Sequence, residues 1–201
     1  MERRELLKMI AVLTGGALIG GNAFLTGCAN PSTASKGVWS SANLALLDEV
    51  GETILPTTAS SPGAKEAKVA EFMNKFVNDC YEEMHQKALI AGIDKIDQDC
   101  QTKTGKSFMK CSAKEREDFL IALEKEAKEL NLQIEEKEKA EREKNKDFKG
   151  LPKHYFTYMK QLTLLGYFTS EIGYTKARRY EAVPGRYDGN VPYVKGEKVW
   201  A

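Results

Sequence analysis

The chain has 201 residues, with 30 Lys and Arg against 29 Asp and Glu, and 42% of its residues are hydrophobic. A net charge of +1 provides no electrostatic footprint for nucleic acid, and the length suits one domain around one core. The two histidines, His85 and His154, lie far apart in sequence, so no His pair stands at metal-ligand spacing.

Residues 1–27 read as an export signal, with a charged head, an apolar run from Met9 to Leu25 and a small-residue end. Gly15, Gly16, Gly20 and Gly21 loosen that run, which falls short of the roughly 20 strongly apolar residues of a membrane-spanning helix. Arg3 and Arg4, followed by Leu6-Leu7-Lys8, resemble the twin-arginine export signal, with Glu2 where that signal usually has Ser or Thr. Leu25-Thr26-Gly27-Cys28 resembles the lipobox of bacterial lipoproteins, in which the Cys thiol takes a diacylglycerol and becomes the first residue. Buried acyl carbons contribute about 0.8 kcal/mol each, so a multiply acylated Cys28 would hold a soluble domain on a membrane. The expected organisation is a signal over 1–27, a lipid-anchored polar tether over 28–40 and a domain over 41–201, on the periplasmic side of the inner or outer membrane. Cleavage would remove Arg3, Arg4 and Lys8 with Glu2 and Glu5, leaving the domain close to neutral.

The domain's periodicity is helical almost throughout, and the fold expected is all-α, with about five to six helices. Ser40 or Ser41 caps a helix carrying Leu44, Leu47, Val50 and Ile54, which Pro56 ends. After a loop from Thr57 to Gly63, the stripe Val69, Phe72, Met73, Phe76, Val77, Cys80 predicts a second helix, and Leu89, Ile93, Ile96, Cys100 a third. Ser112 and Glu115 form a capping box ahead of a long helix with Phe119, Leu120, Leu123, Leu130 and Ile134 on its apolar side. From Glu135 to Lys149 almost every residue is charged, the pattern of a solvated helix end with i,i+4 ion pairs running into a loop. Pro152 opens an aromatic-rich helix with Phe156, Met159, Leu162, Leu165 and Tyr167. No segment alternates with period two, and there is no internal repeat.

With Cys28 assigned to lipid, Cys80, Cys100 and Cys111 remain in an oxidising compartment. Cys100 and Cys111 flank a polar turn containing Gly105, and a disulfide closing it would stabilise the fold by roughly 2–3 kcal/mol. Cys80, on an apolar stripe, reads as a small buried hydrophobe. A set of buried thiols and a Cys80–Cys100 pair are the other readings.

Motifs for catalysis are missing from the domain. It contains no Cys-x-x-Cys-His, no Gly-x-Gly-x-x-Gly, no Gly-x-Ser-x-Gly and no phosphate-binding loop. His154 beside Tyr155 reads as a structural hydrogen-bonding residue. The expectation from the residues alone is a chain that is not an enzyme and holds no cofactor or metal.

The last fifty residues differ in character. Leu165-Gly166-Tyr167-Phe168-Thr169-Ser170-Glu171-Ile172-Gly173-Tyr174 closes a helix with closely spaced glycines, and an irregular Arg/Tyr/Pro/Gly-rich tail follows. Tyr and Arg dominate interface hot spots because each joins a large contact area to directed hydrogen bonds. Tyr167, Tyr174, Arg178, Arg179, Tyr180, Pro184, Arg186 and Tyr187 are therefore the candidate partner-binding residues. An alternative is a stand-alone periplasmic lipoprotein with a small sugar-like ligand near Tyr167, Tyr174 and Tyr187.

Two segments of these last fifty residues carry a family resemblance. Gly166-Tyr167-Phe168-Thr169-Ser170-Glu171 and Pro184-Gly185-Arg186-Tyr187-Asp188-Gly189 resemble the C-terminal signature of the gluconate 2-dehydrogenase subunit 3 family. Leu47-Asp48-Glu49-Val50 and Ile54-Leu55-Pro56-Thr57-Thr58 are similar to its opening helix. The resemblance implies the small subunit of a membrane-bound flavin dehydrogenase acting on sugars or sugar acids. It also implies FAD in a large partner subunit of the glucose–methanol–choline type, often with a cytochrome c subunit carrying haem to take the electrons. On this reading the twin-arginine signal exports the folded partner together with this chain. The lipobox at Cys28 is a feature that not every member has.

Overall fold

The computed structural model describes residues 39–200. The export residues Arg3 and Arg4, the lipid site Cys28 and most of the tether lie outside the described residues. Five α-helices follow in order: α1 Ser41–Ile54, α2 Val69–Cys80, α3 Glu83–Thr104, α4 Ala113–Lys144 and α5 Tyr155–Thr169. A 3₁₀ turn, Phe108–Lys110, joins α3 to α4, and a π-helical turn, Gly173–Ala177, follows α5. The fold is all-α, with no strand among the described residues.

Local chemistry sets the helix ends. Ser40 Oγ accepts the Asn43 N–H at 3.1 Å to open α1, and Gly105 closes α3 at φ 77°, a conformation that glycine adopts without a Cβ clash. The capping box of α4 is complete: Ser112 Oγ accepts the Glu115 N–H, and the Glu115 carboxylate accepts the Ser112 N–H at 2.7 Å. Lys106, the Ser112 N–H and the Ser112 hydroxyl, which donates to the same carboxylate at 2.9 Å, hold the Glu115 carboxyl down to about 2. α5 opens on His154 rather than on Pro152, with His154 Nδ1 accepting the Phe156 N–H at 3.3 Å.

Helix α5 is the centre of the bundle and packs against each of the other four helices. Such a helix must be apolar on most sides, and Tyr155, Phe156, Tyr158, Met159, Leu162, Thr163, Gly166 and Tyr167 are all buried. α5 and α3 approach closely at Gly92, where a Cβ would lie 2.1 Å from the Tyr155 Cβ.

Three burial expectations are corrected by this arrangement. Cys80, the last residue of α2, is exposed, because the chain turns away to α3 before another element covers it. Leu130 is 40% exposed and Ile134 only half-buried. At about 1.5 Å per residue, the 32 residues of α4 outrun the 15 of α5, so the buried side of α4 ends at Ala127. Trp39, assigned to the tether, is a core residue with 5% exposure.

The charged half of α4 is solvated, with Glu138 paired to Arg142 and Glu141 to Lys144. Helix continues to Lys144, and the return segment is fastened to it. Glu138 Oε1 accepts the Leu151 N–H at 2.7 Å, and Asn131 Oδ1 accepts the His154 N–H at 3.0 Å.

Candidate functional site

The segments singled out in the sequence separate into two groups, one that builds the bundle and one that leaves it. In Leu47-Asp48-Glu49-Val50, Leu47 and Val50 are fully buried. Asp48 accepts the Ala70 N–H and so caps α2, whose own N-cap, Lys68, supplies no side-chain bond. Burial nevertheless leaves the Asp48 carboxyl above its ordinary range. Glu49 pairs with Lys65 and, at 2.6 Å, with Arg116 of α4; the Lys65 hydrogen bond is the main cause of its lowered pKa. Arg116 also donates to the carbonyls of Phe108 and Met109, tying α1, α4 and the 3₁₀ turn together. Glu52 accepts the Thr57 and Lys65 N–H groups and holds the loop after α1.

The first C-terminal segment is also structural. Gly166 lets the Phe72 ring close on α5, for a Cβ there would sit 2.5 Å from it. Tyr167 is only 3% exposed, and its hydroxyl donates to the Pro62 carbonyl at 2.6 Å beside Ser61 Oγ at 2.8 Å. That burial corrects the expectation that Tyr167 faces a partner: its role is to fix the loop after α1 onto α5. Ser170 Oγ donates to the Tyr167 carbonyl and accepts the Gly173 N–H, which turns the chain out of α5 into the π-helical turn.

Beyond that turn the tail departs from the core. The Arg178 guanidinium lies over the Phe168 and Tyr174 rings, 4.8 and 5.7 Å from their centres, and Tyr174 meets Tyr180 edge to face at 5.3 Å. Arg179 closes the base of a loop formed by the residues that follow. Its N–H donates to the Val199 carbonyl at 2.9 Å, its Nε to the Lys198 carbonyl at 2.7 Å, and its guanidinium covers Trp200 at 4.5 Å. Lys198 Nζ adds a hydrogen bond to the Lys176 carbonyl.

Every residue from Tyr180 to Trp200 is exposed. Tyr187 is 96% exposed, Tyr193 87%, Val183 80% and Val199 66%. Within this segment Pro184, Arg186 and Tyr187 line an open hollow of about 820 Å³ together with Glu181, Asp188 and Trp200. Neither Tyr167 nor Tyr174 lines it, so the three tyrosines of the ligand alternative do not share one pocket. The sequence reading missed Trp200 and its tie to Arg179, because a lone aromatic in a basic stretch carries no local signal of where it docks.

The histidines have structural partners. His85 Nδ1 is 2.7 Å from the Tyr158 hydroxyl, which also accepts the Lys153 N–H at 2.8 Å. Burial holds His154 below its ordinary pKa, which suits a neutral N-cap that must accept a hydrogen bond. Tyr155 donates to Asp99 at 2.7 Å, and burial raises its pKa. Among the described residues no group of three or more His, Cys, Asp or Glu could hold a metal ion, and no helix is long and apolar enough to cross a membrane.

Residues 41–185 match the family model described as gluconate 2-dehydrogenase subunit 3. No curated protein and no solved structure matches the chain.

Proposed function

The chain belongs to the gluconate 2-dehydrogenase subunit 3 family, and from that premise we propose that it is the non-catalytic accessory subunit of a flavin-dependent dehydrogenase. It exports, anchors and stabilises a large partner subunit of the glucose–methanol–choline type, which carries FAD and oxidises a sugar or sugar acid. A cytochrome c subunit is the proposed electron acceptor. Arg3 and Arg4 direct the folded complex outward, and lipid on Cys28 holds it on the periplasmic side of a membrane.

The observation that carries this reading is the tail. A segment that stays exposed from Tyr180 to Trp200 while presenting Tyr187, Tyr193 and Trp200 has no core of its own to fill. Exposed tyrosine, tryptophan and arginine are the residue types enriched at protein–protein interfaces. The family match runs to residue 185 and so reaches into the start of this segment.

The test is affinity capture of tagged full-length chain from detergent-solubilised native membranes. A flavin-containing large subunit should co-purify, and Arg186→Ala or Tyr187→Ala should reduce its recovery about tenfold or more, as hot-spot residues do. Both side chains stand in solvent, at 87% and 96% exposure, so the melting temperature should stay within about 2 °C of wild type. Recovery of the chain as a monomer, or an equal loss of melting temperature and capture, would sink the proposal.

A further inference from the structure

Cys100 ends the buried stripe of α3, and Cys111 directly follows the 3₁₀ turn; their sulfurs are 3.6 Å apart. Both side chains are sealed, at 0% and 5% exposure. Two sulfurs at that distance are in van der Waals contact, and a further approach of roughly 1.5 Å reaches bonding distance. The backbone that presents Cys111 is held by groups that do not involve sulfur. Phe108 is fully buried, Asp97 Oδ1 accepts its N–H at 2.9 Å, and Arg116 holds the Phe108 and Met109 carbonyls. The nearest polar neighbour is Thr104 Oγ1, 3.6 and 3.5 Å from the two sulfurs, which donates to the Cys100 carbonyl at 2.8 Å. No third or fourth ligand completes a metal site with this pair among the described residues.

We infer that Cys100 and Cys111 oxidise to an intramolecular disulfide by exchange with a small-molecule or protein disulfide of the glutathione or thiol-oxidase class. One cysteine attacks the donor disulfide and releases the first donor thiol, forming a mixed disulfide. The second cysteine displaces the other donor sulfur, and the Cys100–Cys111 bond forms. Two electrons pass to the donor, which leaves as two thiols carrying the two protons. Burial pushes the Cys100 thiol up to about 11, so Cys100 is a poor nucleophile in the closed state, and both sulfurs are shut off from a donor disulfide. Exchange therefore runs through opening of the turn over 105–111, and the same burial shields the finished bond from reductant. Exposed Cys80 stays outside the pair. Pairing depends on this geometry alone, independent of any partner subunit or of lipid on Cys28.

The test incubates full-length chain to equilibrium with oxidised glutathione, denatures it, alkylates it without reductant and maps the peptides by mass spectrometry. The expected product joins the Cys100 and Cys111 peptides with the loss of two hydrogens, while Cys80 is recovered alkylated or as a glutathione adduct. Reductant should open the bond readily in denaturant and slowly in native buffer. Oxidised protein should melt about 4–12 °C above reduced protein, and Cys100→Ala with Cys111→Ala should abolish that difference. Alkylated or separately glutathionylated Cys100 and Cys111, or a bond from Cys80 to either, overturns the inference. If the double variant fails to fold, the wild-type peptide map decides alone.

Discussion

Replacing Arg179 with Ala isolates the tail from the bundle. The substitution removes the Nε hydrogen bond to the Lys198 carbonyl, the 3.1 Å ion pair with Glu197 and the guanidinium over Trp200. The ion pair is between groups 37% and 45% exposed, so solvent screening leaves it about 0.5 kcal/mol. A half-exposed charged hydrogen bond adds about 1 kcal/mol and the cation–π contact about 0.5 kcal/mol. The total of about 2 kcal/mol corresponds to roughly a thirtyfold shift toward a loop open at its base. None of it is core energy, because the loop from Tyr180 to Trp200 buries no side chain. Hydrogen exchange should therefore accelerate at the Arg179 N–H, which donates to Val199, and stay unchanged along α5. Acrylamide should quench Trp200 more strongly, whereas Trp39, at 5% exposure, should not respond. Partner capture should weaken by about tenfold or more, since only the closed base presents a preformed surface. Unchanged Arg179 exchange, or a melting temperature lowered by more than about 4 °C, would refute the reasoning.

Gly92→Ala should destabilise the bundle by about 1–3 kcal/mol despite alanine's better helix propensity, because the new methyl meets the Tyr155 Cβ; thermal unfolding by circular dichroism checks this. For His154, burial lowers the folded-state pKa below the ordinary 6.5, with Glu126 and Asp99 opposing. The unfolded chain therefore binds the proton more strongly, and the stability His154 contributes is present above 6.5 and lost as pH falls through the folded value. Urea midpoints at about pH 7.5 and about pH 5.5 should show that loss in wild type and a smaller one in His154→Asn, whose side chain still accepts the Phe156 N–H. An identical pH dependence in both proteins would count against the capping role.

Relations within one turn or one helix are legible in the order of residues. Ser40, Ser112 with Glu115, and Gly105 act over a few residues, so their caps follow from spacing alone. The stripe Leu89, Ile93, Ile96, Cys100 is buried throughout, as its period requires. Where the expectation failed, coverage by another element was the missing quantity: Cys80, Leu130 and Ile134 continue a helical period past the point where a neighbour ends.

The candidate surface divides along the same line. Sequence by itself established an all-α domain and an Arg- and Tyr-rich tail, because both are matters of composition and local period. Only the tertiary structure separated Tyr167, bonded to Pro62 across the bundle, from Tyr187, which stands in solvent. It alone also placed Asp48 on the N-terminus of α2 and Arg116 on Glu49, and brought Trp200 back to Arg179. The physical reason is that burial and long-range hydrogen bonds depend on which elements meet. Two tyrosines of the same candidate set acquire opposite roles once one of them has a helix bundle around it.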